Sequence, residues 1–272
     1  MSANPLTVAE PWDLVAESYA EFGPAVMRPF SSHALEVAGP APDARIVDIA
    51  AGTGILSLLA ARQVASVHAI DLSEGMLERL REAARQAGID NIETECGDGQ
   101  ALPFESNRFD AAFSMFGLIF FPDRTAGFAE MFRVLRPGGL AVVSSWAPMV
   151  ESPLMMTMFA AGAAADPDLQ EPQPDFLGLE NPDVFATEMR AAGFAGVTIQ
   201  RHTASIHFDS VDEIWASMIV GSAMMQWIRR QEGERRWAAR TAAMRGYLDA
   251  NFRPGVGLST TALLGIGHKP RL

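Results

Sequence analysis

Cysteine is nearly missing from this sequence: Cys96 stands alone in 272 residues. That excludes an internal disulfide and any zinc or iron–sulfur set built on cysteine. Lysine is equally scarce, with Lys269 the only one, and there is no block of Lys and Arg. With 33 acidic against 21 basic residues and a net charge of -12, the chain repels a phosphate backbone, so nucleic acid is set aside as a main partner. No apolar run approaches the ~20 residues that cross a bilayer. The opening MSANPLTVAEPWD lacks a basic region followed by an apolar core. A soluble cytoplasmic protein with no membrane partner is the expectation. H-x-x-x-H, G-x-S-x-G and carboxylate pairs at metal spacing are also missing, so neither a metal nor an activated serine is expected.

What the chain does have is apolar residues, 49% of the total, enough for one large α/β domain or a core with an appendage. Its organising stretch is RIVDIAAGTGILSLLAA, from Arg45 to Ala61. The β-branched run Ile46, Val47, Ile49 suits a strand buried on both faces, and the small residues Ala50 to Gly54 lead from it into an apolar helix. Gly52 and Gly54 let backbone approach a ligand or itself without a Cβ in the way. The helix behind them turns its free N–H groups and positive dipole end toward the turn. A dinucleotide fingerprint, G-x-G-x-x-G, would place a third glycine where Ser57 stands, or where Ile55 stands if counted from Ala50.

Asp48-Ile49-Ala50-Ala51-Gly52-Thr53-Gly54 instead resembles the first motif of the class I S-adenosylmethionine-dependent methyltransferases, an acid followed by G-x-G-x-G. Ala50 replaces the first glycine, and its methyl narrows the turn. The resemblance implies a small-molecule methyltransferase with S-adenosyl-L-methionine as cofactor. It also implies a Rossmann-like, doubly wound, mostly parallel seven-stranded sheet with an antiparallel last strand, plus a helical cap and a substrate-binding insertion. A homodimer is left open.

Along the chain, Val64 to Ile70 reads as a second strand ending at Asp71, and LSEGMLERLREAARQAG as an amphipathic helix closed by Gly88. Asp71 lies roughly 17 to 20 residues beyond the glycines, where a carboxylate accepts from both hydroxyls of an adenosine ribose; the alternative is that it caps the next helix, as Ser73 could. Leu72 and Met76 would flank the adenine. Asn91 to Cys96 is a third strand. The following GDGQALPF is similar to the family's G-D-A-x-x-L-P-F, which gives Asp98 the adenine amino group and Gly99 a backbone contact to the ring; a plain Asx turn is the competing reading. The family pattern F-D-x-x-x-S fits Phe109, Asp110 and Ser114, and Ser114, Met115 and Phe116 fall at a strand's carboxyl end, where ligand sites of open α/β sheets lie. Phe116, Phe120 and Phe121 suit core and pocket alike. Thr125 to Leu135 is a helix stopped by Arg136-Pro137-Gly138-Gly139, and Leu140 to Trp146 a fifth strand.

The domain organisation expected is a helical cap over 1–42, a cofactor core over 43–147 and a partly substrate-facing segment with a core helix over 148–192. A core strand over 193–208, a helical insertion over 209–257 and a closing strand over 258–272 complete it. Gly23-Pro24 and Pro29 predict two short helices in the cap, with Trp12 and Tyr19 as cofactor contacts or packing anchors. Met155, Met156 and Met158 suit a pocket wall or core, and a Pro/Asp segment, Pro167 to Pro174, follows them. A general base, if needed, would be His33, His202 or His207, each equally readable as an ordinary histidine. The apolar, methionine-rich cap and insertion favour a small apolar or aromatic acceptor for an O-, N- or C-methylation driven by alignment. A nicotinamide oxidoreductase fits less well without a third glycine or a Tyr/Lys pair. A non-methylating protein that keeps the cofactor fits the same motifs.

Overall fold

The computed structural model describes residues 4–169 and 178–271. The Pro/Asp segment expected from Pro167 therefore lies outside the described residues from position 170 to its end. Among the described residues the strands form one seven-stranded sheet: β1 (Arg45–Ile49), β2 (Ser66–Asp71), β3 (Ile92–Cys96), β4 (Phe109–Met115), β5 (Leu135–Trp146), β6 (Ala195–Ile206) and β7 (Leu258–His268), in the order β3-β2-β1-β4-β5-β7-β6. The β1–β2, β2–β3, β1–β4 and β4–β5 pairs are parallel, and β7 runs antiparallel between β5 and β6. The Rossmann-like sheet with a reversed last strand is therefore as expected. Chain order reverses between β1 and β4, and crevices at the carboxyl ends of such strands bind ligands.

Local chemistry explains most elements. In β1 every residue after Arg45 is buried, as a strand covered on both faces requires. Helix α2 (Ile55–Ala60) follows the glycine turn. Helix α3 (Glu74–Gln86) starts at Ser73, whose Oγ accepts from Met76 N at 3.1 Å. Helices α4 (Arg124–Val134) and α6 (Pro182–Ala191) begin at Asp123 and Asn181, each taking a first-turn N–H on its side chain. Helix α5 (Pro153–Ala165) lies after β5. The insertion holds α7 (Val211–Trp215), a π-helical turn Ala216–Val220, α8 (Ala223–Glu232) and α9 (Glu234–Asn251). Among the described residues no helix is long and apolar enough to cross a membrane.

Two expectations are corrected. The cap does not break at Gly23-Pro24 or Pro29: α1 (Glu10–Ala38) is one helix of 29 residues, ended by Gly39 at φ 49. Each proline removes an i→i−4 bond and crowds the preceding turn, which locally opposes a helix. The buried face of Val15, Val26, Phe30, Ala34 and Leu35 packs strongly enough to override that. The second correction concerns Arg136-Pro137-Gly138-Gly139, which does not separate α4 from a later strand. β5 begins at Leu135, opposite Phe109, and the four residues bulge out before pairing resumes at Ala111 and Leu140. Gly139 is needed there because a Cβ would stand 2.9 Å from Arg136 O.

Candidate functional site

The turn after β1 is held open by backbone that side chains rarely adopt. Ala50, Gly52 and Gly54 lie at φ 57, 57 and 77. Among the described residues a Cβ on Gly52 would meet nothing within 4 Å, so this glycine faces free space, whereas one on Gly54 would strike Leu80 of α3. Gly54 therefore serves close helix packing rather than the cavity. Alanine tolerates the left-handed region poorly, and at position 50 the methyl fits because its neighbour is Gly117: a Cβ on Gly117 would overlap that of Ala50.

Hydrogen bonds tie this turn to the end of β2. Ala51 N donates to Ile70 O at 3.0 Å, and Gly52 N to Asp71 Oδ2 at 2.7 Å. Asp71 Oδ1 accepts from Ser73 N at 2.9 Å. Ser73, not Asp71, is the cap of α3. Burial raises the Asp71 carboxyl above the ordinary range, against the lowering effect of the Ser73 and Gly52 N–H groups. Asp48, at the end of β1, is buried and accepts from Ser57 Oγ at 2.7 Å. Its carboxyl is pushed up to about 7, first by burial and further by the Asp71 charge, with the Ser57 bond opposing. Tyr19 on α1 is raised to about 12 by burial and then by Asp71.

These groups share one cavity of about 290 Å³. Of the residues singled out from the sequence, Tyr19, Asp48, Ala50, Ala51, Gly52, Asp71, Leu72, Met76, Gly99, Met115 and Phe116 line it. Gly54, Asp98 and Ser114 do not. Asp98 is exposed, and its Oδ1 accepts from Gln100 N at 2.8 Å and Gln100 Nε2 at 3.0 Å, the Asx arrangement that was the competing reading. Its neighbours Gly97, Gly99 and Gln100 are the ones that reach the cavity. Gly99 has a packing reason of its own, since a Cβ would collide with the Phe121 ring and stand 2.8 Å from Ile49 Cγ2. Ser114 is fully buried, and its Oγ has no hydrogen-bond partner among the described residues.

The rest of the wall comes from elements that local patterns do not point to. From α1 come Gly23, Val26, Met27 and Ser31; from α5, Leu154 and Met155; from the π-turn and the start of α8, Ser217, Met218 and Met224; from β7, Thr260. Among the described residues six methionines, at positions 27, 76, 115, 155, 218 and 224, line the cavity. Of the cluster expected after Trp146, only Met155 does; Met156 is exposed and Met158 packs on the core. Phe116 and Trp146 stack at 4.1 Å between ring centres, with Phe30 edge-on to both at 5.5 Å. Trp12 lines the cavity and is also anchored, its Nε1 donating to Leu6 O at 3.0 Å and its ring meeting Phe120 edge-on at 5.4 Å. Among the described residues no histidine lines the cavity. His33 and His202 stack on each other at 3.9 Å, and His202 meets the edge of Phe30 behind the cavity wall.

A glycine turn at the switch point of a Rossmann-like sheet, a carboxylate at the end of β2 and a largely apolar pocket define a cofactor-binding α/β protein. Comparison narrows that class. A family model described as a methyltransferase domain matches residues 46–139. An uncharacterized protein of Mycobacterium tuberculosis is 39% identical over 128 residues, 47% of this chain and 46% of that protein. The chain thus spans about half the length of the first curated relatives it matches. Demethylmenaquinone methyltransferase of Clavibacter sepedonicus is 35% identical over 181 residues, 61% of this chain and 72% of that protein. Among solved structures, that of the cyclase SpnF has a TM-score of 0.61 at 19% identity and covers 97% of this chain and 95% of its own, a likeness of fold. The chain belongs to the class I S-adenosylmethionine-dependent methyltransferases.

Proposed function

We propose that the protein transfers a methyl group from S-adenosylmethionine to an oxygen, nitrogen or carbon atom of a small, largely apolar or aromatic acceptor, chiefly by proximity and alignment. The observation that carries this is one cavity walled by two carboxylates and a glycine turn from β1 and β2, and by methionines and aromatic rings from α1, α5 and the insertion. The residues fit the cofactor: Gly52 faces free space, and buried Asp48 and half-buried Asp71, both with raised pKa, suit a ligand bearing hydroxyls and positive charge. Asp71 would hold the ribose hydroxyls, Leu72 and Met76 the faces of the adenine, and Gly99 its edge. Ala50, Ala51 and Gly52 would follow the amino-acid tail, with Asp48 behind them. Tyr19, Met115 and Phe116 would close the site around the methyl.

When bound, the cofactor supplies a sulfonium-activated methyl and a neutral thioether leaving group. The chain's part is to orient and to exclude water. Among the described residues the titratable groups in the wall are Asp48, Asp71 and Tyr19, all assigned to the cofactor. An acceptor that arrives already nucleophilic, or loses its proton directly to solvent, fits this wall best.

A 35% identical relative is named a demethylmenaquinone methyltransferase, so a demethylated quinol heads the acceptors to try. A second reading, cofactor held without methyl transfer, is kept because a chain of the same fold is named a cyclase. Formation of S-adenosylhomocysteine with a panel of quinols and phenols separates the two. Acceptor-dependent product is the expected result; tight cofactor binding with no turnover across the panel favours the second reading.

A further inference from the structure

Asp13 lies in the first turn of α1 and was not among the residues that motif reading singles out. Its Oδ1 accepts from Ser73 Oγ at 2.5 Å and from Gly75 N at 3.1 Å. Ser73 uses its hydroxyl twice, donating to Asp13 and accepting from Met76 N, while its backbone N–H donates to Asp71. Asp71 in turn accepts from Gly52 N. An unbroken chain of hydrogen bonds thus runs from α1 through Ser73 and Asp71 to the glycine turn. Gly75 is shaped for it, because a Cβ there would stand 3.1 Å from Asp13 Oδ1 and 3.5 Å from the Ala16 methyl.

The chain links two parts of the cavity that come from different regions of the sequence. One end is the pair of turns that carry Gly52 and Asp71. The other is α1, which supplies Trp12, Tyr19, Val26, Met27 and Ser31 to the wall. Asp13 is exposed, so its carboxylate is not retained for burial of a core. Placed at the N-terminal end of α3, it complements that helix's orphan N–H groups and dipole. A ligand that draws Asp71 toward its hydroxyls fixes Ser73, and Ser73 fixes Asp13.

We propose that Asp13 is a positioning residue that couples cofactor binding to the seating of α1 over the cavity. This rests on the cofactor reading of the Asp71 turn. Coupling of this kind is reciprocal: α1 seated by Asp13 favours the ligand, and the ligand favours seated α1.

The test is calorimetric titration of the full chain with S-adenosylhomocysteine, paired with backbone hydrogen exchange over Glu10–Ala38 with and without that ligand. The variants are Asp13→Ala, Asp13→Asn and, as a control, Ser18→Ala. Ser18 also anchors α1, through its Oγ donated to Val220 O at 3.0 Å, but stands outside the chain of bonds and the cavity wall. Asp13→Ala is expected to weaken binding about five- to tenfold, the loss of a charge-assisted hydrogen bond at an exposed site, and to abolish ligand-induced protection of α1. Asp13→Asn keeps an acceptor oxygen and should restore part of both effects. Ser18→Ala should leave both near wild type. Unchanged affinity and protection in Asp13→Ala, or an equal loss in Ser18→Ala, would overturn the coupling. A folded wild type that does not bind the ligand would overturn the cofactor reading and the coupling with it.

Discussion

At the scale of single residues, Asp48 is the group whose chemistry is most informative. A carboxyl with a folded pKa of about 7 against an ordinary 3.8 is protonated in the fold where the unfolded chain is ionised. In the free protein its contribution to stability is therefore fully present below 3.8 and is lost as pH rises through about 7. A cationic ligand lying against this wall lowers that pKa again, so binding at pH 7, where the group is about half protonated, releases up to about half a proton per site. Titration with S-adenosylmethionine at pH 7 in two buffers of different ionisation enthalpy should give different heats, and Asp48→Asn should remove the difference. Equal heats in both buffers for the wild type would contradict the assignment. The acid itself was legible from its place before the glycine turn. Its raised pKa was not, because that depends on burial and on Asp71, 23 positions on in sequence but close in space.

At the scale of elements, helix α1 shows where local signals stop. Ser73 as a cap, Gly88 after α3 and the buried β1 run are written in neighbouring residues, and the fold follows them. Pro24 and Pro29 are also local signals, yet the helix runs through both, held by its buried face. The methionine wall assembles from α1, α5 and the insertion, which no short window brings together. The far end of α1 is joined to β6 by the stacked His33 and His202 rings. Burial, and then His33, lower the His202 pKa below its usual 6.5, against the pull of Glu36. Protons then bind the unfolded chain first, so stability falls as pH drops from 6.5 to the lower folded pKa and is level below it. Asp48 acts with the opposite sign over the same range, so the His202 loss is read as a difference: on going from about pH 7.5 to 5.5 in urea unfolding, His202→Phe, which keeps an aromatic ring against Phe30, should gain more or lose less stability than wild type. An identical pH dependence in the variant would remove His202 as its source.

At the scale of the whole molecule, the sheet order places the ends of β1, β2 and β4 at one crevice, and α1, α5 and the insertion close over it. The motifs between Ile46 and Leu140 point to that crevice, except at Asp98, which is exposed in its own turn, and at Gly54 and Ser114, which are taken up by packing beside it. The acceptor wall was readable only as a composition, rich in methionine and aromatic residues, because its members meet through packing alone. The proposed function turns on whether the Asp71 turn holds the ribose of the cofactor. Its most direct test is calorimetric titration of wild type and Asp71→Ala with S-adenosylmethionine and, separately, S-adenosylhomocysteine. Wild type is expected to bind both, and Asp71→Ala to bind each about 100-fold more weakly, the loss of two charge-assisted hydrogen bonds. A folded wild type that binds neither, or an Asp71→Ala protein that binds both undiminished, would contradict it.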